Sequence, residues 1–379
     1  MNKQKIIIIG TAYPYRGGIA AFNERLALQF LREGHEVEIY TFILQYPNFL
    51  FPGKTQYSND PEPKELCIYR KINAVNPLNW IKVGKEIRKK QPDLIIIPYW
   101  MSFMALCLGC IASQIKKNHH TKIIGLVHNM IPHEPSLLDK FFPKYYVKNM
   151  DAFVSLSESV LTDINKFDKK NKPKTFSPHP IYDHYGMLLP KDDAKRRLNI
   201  DDQQNYVLFF GFIRAYKGLD LLLEAFEDER IKKLPLKLLI AGEFYEDEKT
   251  YLDIINKNNL KSQVLLFNDF IPNHNVNLFF SACDVVVQPY KTATQSGVTQ
   301  IAYHFEKPMI VTHVGGLSEI VPHGKCGYVV EPNAKAIADA MVDFYSLNNE
   351  SLFIKHCKME KEKYNWAKMT ETMLNLLIR

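Results

Sequence analysis

Residues 206–226 read YVLFFGFIRAYKGLDLLLEAF. The unbroken apolar run 206–210 predicts a buried strand that ends at Gly211. Leu219, Leu222, Leu223 and Phe226 recur at helical spacing, so an amphipathic helix is predicted from about Gly218. Arg214 and Lys217 therefore fall in the turn between a strand's carboxyl end and a helix's amino end. Open α/β sheets bind ligands there, because peptide N–H groups and the helix dipole favour an anion. A diphosphate suits the place. Taken alone, the same turn also fits two solvated surface cations.

A second turn of the same kind follows in residues 288–321, QPYKTATQSGVTQIAYHFEKPMIVTHVGGLSEIV. An apolar strand at 284–287 leads through Pro289 to a small polar loop, Thr292, Thr294, Gln295, Ser296 and Gly297, and then to a helix from about Val298. Ser296 is placed as an N-cap, its hydroxyl accepting from first-turn N–H groups. Small residues let a ligand approach the backbone closely. Either turn alone could be a capped helix in an α/β domain; two in this order point to a shared ligand.

The ordered motifs resemble the retaining glycosyltransferases of family 4, which have the GT-B fold. The similarity begins with GTAYPYRGGIAAFNERLALQFLREGHEVEIYTF, where Gly17 and Gly18 precede the first helix and Gly34 and His35 close it. It continues through GLVHNMIPHE, FGFIRAYKG, AGE (with Gly242), DFIP, SGVTQIAYHFEKP, THVGGLSEIV and GYVVEP, across nearly the whole chain. The set is specific for fold and family, not for substrate. It implies an α/β protein of two Rossmann-like domains with parallel sheets facing across a cleft. Residues 1–183, with a C-terminal helix 364–379 packing back, would form the acceptor-side domain, and residues 184–363 the nucleotide-sugar-binding domain.

Composition agrees with a folded enzyme of two domains: 379 residues, 46% hydrophobic and 12% aromatic. The net charge of +7 is uneven. Residues 1–190 hold 25 Lys and Arg against 16 Asp and Glu, whereas residues 191–379 hold 23 against 25. Basic clusters at 87–90, 115–122 and 166–174 suit an anionic membrane surface as well as solvated helix ends. No nucleic-acid-binding motif accompanies them. The apolar run 6–9 is too short for a signal peptide's core and reads as a first strand. Residues 94–115 carry no charge, yet Pro98, Tyr99, Trp100 and Ser102 break the run; a strand to Ile97, a turn and a core helix from about Met101 are expected instead of a membrane span. The six cysteines suggest no disulfide framework or zinc site, and the pair Cys107 and Cys110 reads as core. Reduced thiols fit a cytoplasmic protein, and the basic N-terminal half suits a peripheral place at the inner face of the membrane.

Strands are expected at 5–9, 36–42, 93–97, 122–127 and 152–156, with helices at 20–33 and 79–90 between them. They are expected again at 206–210, 236–241, 264–267, 284–288, 309–312 and 327–330. Such alternation predicts parallel sheets with right-handed crossovers. The segment 173–193, rich in Pro and polar residues, reads as the linker.

The resemblance assigns roles. Gly17 and Gly18 would approach the donor phosphate through their backbone. Arg214 and Lys217 would neutralise the diphosphate leaving group, stabilising charge that develops in the transition state. In the family pattern Arg directly follows Gly; here Phe212 and Ile213 intervene. Two glutamates eight residues apart are replaced by Thr292 and Gln300; Gln300 keeps an acceptor and two donors for ribose hydroxyls. Gln295, Ser296, Gly297 and Val298 would meet the donor at the second turn. The missing carboxylate leaves no clear covalent nucleophile and favours front-face displacement. His128 would face the donor sugar, with His133 and Glu134 on the acceptor side. Glu319 would sit near phosphates and ribose, and the backbone of Phe270 and Ile271 would read the nucleobase. No D-x-D pattern occurs, so no metal is expected. The co-substrate implied is a nucleoside diphosphate sugar, uridine favoured over guanosine, and the acceptor a glycan or lipid-linked molecule. A sugar-nucleotide epimerase and a catalytically silent scaffold subunit are the alternatives.

Overall fold

The computed structural model describes residues 3–47, 55–58, 60–131, 137–293 and 296–376. The chain folds as two compact units, Met1–Pro180 with Asn365–Arg379, and Ile181–Tyr364.

The first unit is built on seven strands: β1 (Lys5–Ile9), β2 (Glu36–Leu44), β3 (Cys67–Asn73), β4 (Leu94–Tyr99), β5 (Lys122–Val127), β6 (Ala152–Ser155) and β7 (Lys174–Phe176). All pair in parallel, in the order β3-β2-β1-β4-β5-β6-β7. The crossovers carry α1 (Gly18–Arg32), α2 (Pro77–Lys89), α3 (Ala105–Ile115), α4 (Phe142–Asn149) and α5 (Glu158–Phe167). Strands covered on both faces must be apolar throughout, and Ile6, Ile7, Ile8 and Ile9 are all fully buried.

The second unit has six strands: β8 (Asn205–Phe210), β9 (Leu236–Ala241), β10 (Val264–Phe267), β11 (Val285–Gln288), β12 (Met309–Thr312) and β13 (Gly327–Val330), in the order β10-β9-β8-β11-β12-β13, again parallel. Among its helices, α6 (Lys191–Arg197) opens the unit and α7 (Leu219–Ala225) and α8 (Glu229–Lys232) follow β8. Next come α9 (Glu248–Lys257), α10 (Val276–Ala282), α11 (Gly297–His304) and α12 (Leu317–Ile320). Then α13 (Ala334–Ser346) and α14 (Glu350–Glu360) close the unit. The last helix, α15 (Trp366–Leu376), belongs to the first unit. There the Thr370 hydroxyl donates to the Glu33 carboxylate at 2.7 Å, and the Trp366 and Phe22 ring centroids lie 5.0 Å apart.

Two local expectations fail and one strand was not expected, each for an identifiable reason. Pro98 does not end β4: Pro98 and Tyr99 pair with Leu126 and Val127 of β5. On the other side β1 pairs only with Leu94 to Ile96, so the N–H that proline lacks is not needed. Residues 174–176, read by composition as linker, form β7 at the sheet's edge, where Lys174 meets the buried Asp168 carboxylate at 2.9 Å. The other edge strand, β3, has only Ile72 fully buried; it lacks the apolar run that marks a central strand, so its sequence does not announce it. Among the described residues no helix is long and apolar enough to cross a membrane.

Candidate active site

In the second unit the chain adds strands outward in opposite directions from β8 and β11, so the junction of these two strands is the topological switch point. The loops leaving them are joined. The Lys291 N–H donates to the Tyr216 carbonyl at 2.7 Å. Gly218 has φ 67°, and a Cβ there would stand 2.0 Å from the Pro289 carbonyl oxygen. Only glycine permits that approach.

Lys217 ends the short 3-10 turn Ala215–Lys217, and only 8% of it is exposed. Its ammonium lies over Gly211, where a Cβ would come within 3.1 Å of Nζ, and 5.7 Å from the Tyr290 ring centroid. The Tyr290 hydroxyl is 3.3 Å from Ser296 Oγ, which accepts from the Val298 N–H at 3.2 Å and so caps α11 as its sequence implies. A Cβ on Gly211 would also stand 3.7 Å from Val298 Cγ2. The fold thus gathers Gly211, Lys217, Tyr290, Ser296 and Val298 from two stretches some eighty residues apart.

Among the described residues the Lys217 ammonium has no carboxylate and no hydrogen-bond acceptor. Burial, with the Arg214 charge added, pushes its pKa down to about 7. A buried cation lacking a counter-charge is costly, and an arriving anion removes that cost. Arg214 is half-exposed, its guanidinium carbon 5.1 Å from the Tyr245 ring centroid. One turn into α11, Gln300 is fully buried, and among the described residues neither amide atom has a hydrogen-bond partner. Its neighbour Thr299 donates to Gln288 Oε1 at 3.3 Å, while Gln288 Nε2 has no partner among the described residues. Of the buried amides with an unpaired atom among the described residues, Gln300 has both atoms unpaired, a costly state that an added partner would relieve.

The other assigned residues fall as follows. At Gly297 the small residue does not leave bare backbone: the Tyr182 ring fills the room, 3.0 Å from where a Cβ would be. Gly242 is explained by packing, since a Cβ would lie 2.1 Å from the Gly211 carbonyl oxygen. Phe270 and Ile271 are half-buried in the loop after β10, whereas Thr292 and Glu319 are exposed, the latter in the first turn of α12. Gln295 and Thr294, like His133 and Glu134, lie outside the described residues. Among those described, no group of three His, Cys, Asp or Glu side chains is arranged to hold a metal ion.

In the first unit Gly17 caps α1 at φ 109°, a backbone state that favours glycine, and Gly18 begins the helix. The loop before them is held by Ala12 N–H donating to Thr41 Oγ1 at 3.0 Å and Tyr13 N–H donating to the Glu24 carboxylate at 2.6 Å. Burial, with the Asp60 charge added, pushes Glu24 up to about 7. His128 follows β5, its N–H donating to the Tyr99 carbonyl at 2.8 Å. The Phe22 ring packs edge-on to both His128 and His179, at 5.0 and 4.8 Å. Burial pushes these imidazoles down to about 3 and about 4, so both are neutral at pH 7.

Sequence reasoning gave no role to Phe212, Tyr245 or Tyr290. Phe212 did carry a signal, since it occupies the place next to glycine where the family pattern has a cation.

Comparison with known proteins supplies the family. The model of glycosyl transferases group 1 matches residues 190–366, and that of glycosyltransferase family 4 matches residues 16–181. An uncharacterized glycosyltransferase of Methanocaldococcus jannaschii is 26% identical over 377 residues, covering 96% of this chain and 95% of its own. O-antigen chain mannosyltransferase C of Escherichia coli is 22% identical, covering 97% and 95%. Among solved structures, Anabaena HepE in complex with UDP and glucose superposes with TM-score 0.73 at 14% identity, covering 98% of this chain and 99% of that one. Two parallel Rossmann-like halves, one family model on each, identify the chain as a GT-B glycosyltransferase of group 1.

Proposed function

We propose that the chain transfers a hexose or N-acetylhexosamine, with retention, from a nucleoside diphosphate sugar to a glycan or lipid-linked acceptor. The observation that carries this reading is the Lys217 ammonium at the switch point of the second unit, buried and without a counter-charge among the described residues. In the proposed mechanism, the diphosphate lies against Lys217 and Arg214 and the α11 terminus capped by Ser296. Charge grows on that diphosphate as the glycosidic bond breaks, and the preset cations stabilise the transition state more than the ground state. Gln300 hydrogen-bonds ribose hydroxyls without a charge, filling its empty amide positions. His128, kept neutral by burial, faces the sugar as a hydrogen-bonding group, and Gly17 and Gly18 present backbone to the phosphate. With no carboxylate at position 292, the acceptor attacks from the leaving-group side.

A uridine donor is favoured, in keeping with the UDP bound to Anabaena HepE. A polysaccharide or glycolipid setting is in keeping with the O-antigen mannosyltransferase. We place the protein in the cytoplasm, peripheral to an anionic membrane. The helix face of α4, where exposed Lys144 and Lys148 accompany Tyr145 beside the exposed Phe141, suits such a surface.

Lys217→Ala and Arg214→Ala are expected to lower kcat about 10²- to 10³-fold each with the fold retained by circular dichroism. Near wild-type turnover in both would overturn the reading. Turnover is also expected to survive EDTA, because fixed cations take the metal's place. Loss on chelation, restored by Mn²⁺ or Mg²⁺, would refute the metal-free mechanism.

A further inference from the structure

Three aromatic side chains follow three adjacent strands of the second unit: Phe212 after β8, Tyr245 after β9 and Phe270 after β10. The Phe212 and Tyr245 centroids are 4.3 Å apart with their planes inclined at 31°. Phe212 and Phe270 stack at 6.1 Å and 29°. The row is fixed by backbone bonds that continue beyond the strands: Gly211 N–H to the Ala241 carbonyl, Ile213 N–H to the Glu243 carbonyl, and Tyr245 N–H to the Ile213 carbonyl, at 2.9, 2.9 and 3.0 Å. The Ala215 N–H adds a bond to the Glu246 carboxylate at 2.8 Å.

All three residues are partly exposed. Phe212, which neighbours both other rings, lies five residues before Lys217, and the three rings follow strands that run from the switch point to the sheet's edge strand, β10. A ligand with its charge at Lys217 would therefore have aromatic surface on one side of that charge. We propose that Phe212 is a stacking platform for the donor's nucleobase, its plane held by Tyr245 and Phe270. The inference rests on the reading of Lys217 as the diphosphate site. It gives Phe212 a purpose in the place where the family pattern carries a cation: the position contributes base stacking instead of phosphate charge. Every base has a π-face, so this contribution falls alike on uridine and guanosine diphosphates. Inorganic pyrophosphate gains nothing from it.

The test is calorimetric titration of UDP, GDP and inorganic pyrophosphate into the full chain and its Phe212→Leu, Phe212→Trp and Lys217→Ala variants. Absorbance of bound UDP near 260 nm reports stacking. Phe212→Leu, which keeps apolar bulk, is expected to weaken UDP and GDP about tenfold, to leave pyrophosphate unchanged and to abolish the hypochromism. Phe212→Trp is expected to retain it. Equal weakening of pyrophosphate and nucleotides by Phe212→Leu, or unaltered UDP binding, would overturn the proposal while leaving the diphosphate site intact. If Lys217→Ala changes none of the three affinities, the diphosphate reading fails, and this inference with it.

Discussion

Each unit buries basic side chains near the carboxyl ends of its strands, and the two do so with opposite results. In the first unit His128 and His179 sit against Phe22 and are pushed down to about 3 and 4. In the second Lys217 is buried as thoroughly and is pushed down only to about 7. The cause is largely the same, desolvation of the charged form. The outcome differs because an imidazole starts near 6.5 and an ammonium near 10.5. One cluster has given up its charge and packs neutral against an aromatic ring. The other remains poised to take up a proton when an anion arrives.

The contrast breaks most readily at Phe22, fully buried between His128, His179 and Trp366. Phe22→Ala is expected to destabilise the first unit by about 3–5 kcal/mol, read by denaturant melts. A loss below about 1 kcal/mol would mean that the imidazoles are not held by this packing.

The charge itself is tested by Lys217→Met. The folded pKa lies below the unfolded value, so between about pH 7 and 10.5 the unfolded chain binds more protons and stability rises with pH. Below pH 7 the penalty of the buried cation is complete. Lys217→Met is therefore expected to raise apo stability by about 1–2 kcal/mol at pH 6, with less gain by pH 10, even as catalysis is lost. No gain at pH 6 would show that the ammonium is already compensated. The imidazoles act in another window: the unfolded chain binds more protons below about pH 6.5, and their contribution to stability is lost toward pH 3.

The smallest effect is expected at the α11 cap. Ser296→Ala removes the hydroxyl that accepts from Val298 N–H and should cost about 1 kcal/mol, measured by thermal melts. Ser296→Asp restores the acceptor and should recover that stability. Its added negative charge at the proposed phosphate terminus should weaken UDP binding, a split that a merely structural cap would not give.

Much of this was legible before any coordinates. The central strands β1, β5, β8 and β9 announced themselves as apolar runs because both faces of a parallel sheet are covered. Ser296 as a cap, and the placing of Arg214 and Lys217 after a strand, followed from spacing alone. Edge strands β3 and β7 were not legible, since β3 fully buries only Ile72 and β7 buries no residue fully, so neither carries an apolar run. Gly297 misled: a missing side chain signals close approach, and sequence does not say whether a ligand or a ring such as Tyr182 approaches.

Hydrophobic periodicity and turn chemistry, local along the chain, determined the α/β class, the two halves and the candidate phosphate turns. Tertiary structure alone decided that, among the described residues, Lys217 is buried without a partner beside Tyr290 and Gln300 keeps both amide groups unspent, and that Phe212 joins an aromatic cluster. These are properties of what surrounds a side chain. Desolvation and stacking depend on neighbours brought from distant sequence, which no local pattern encodes.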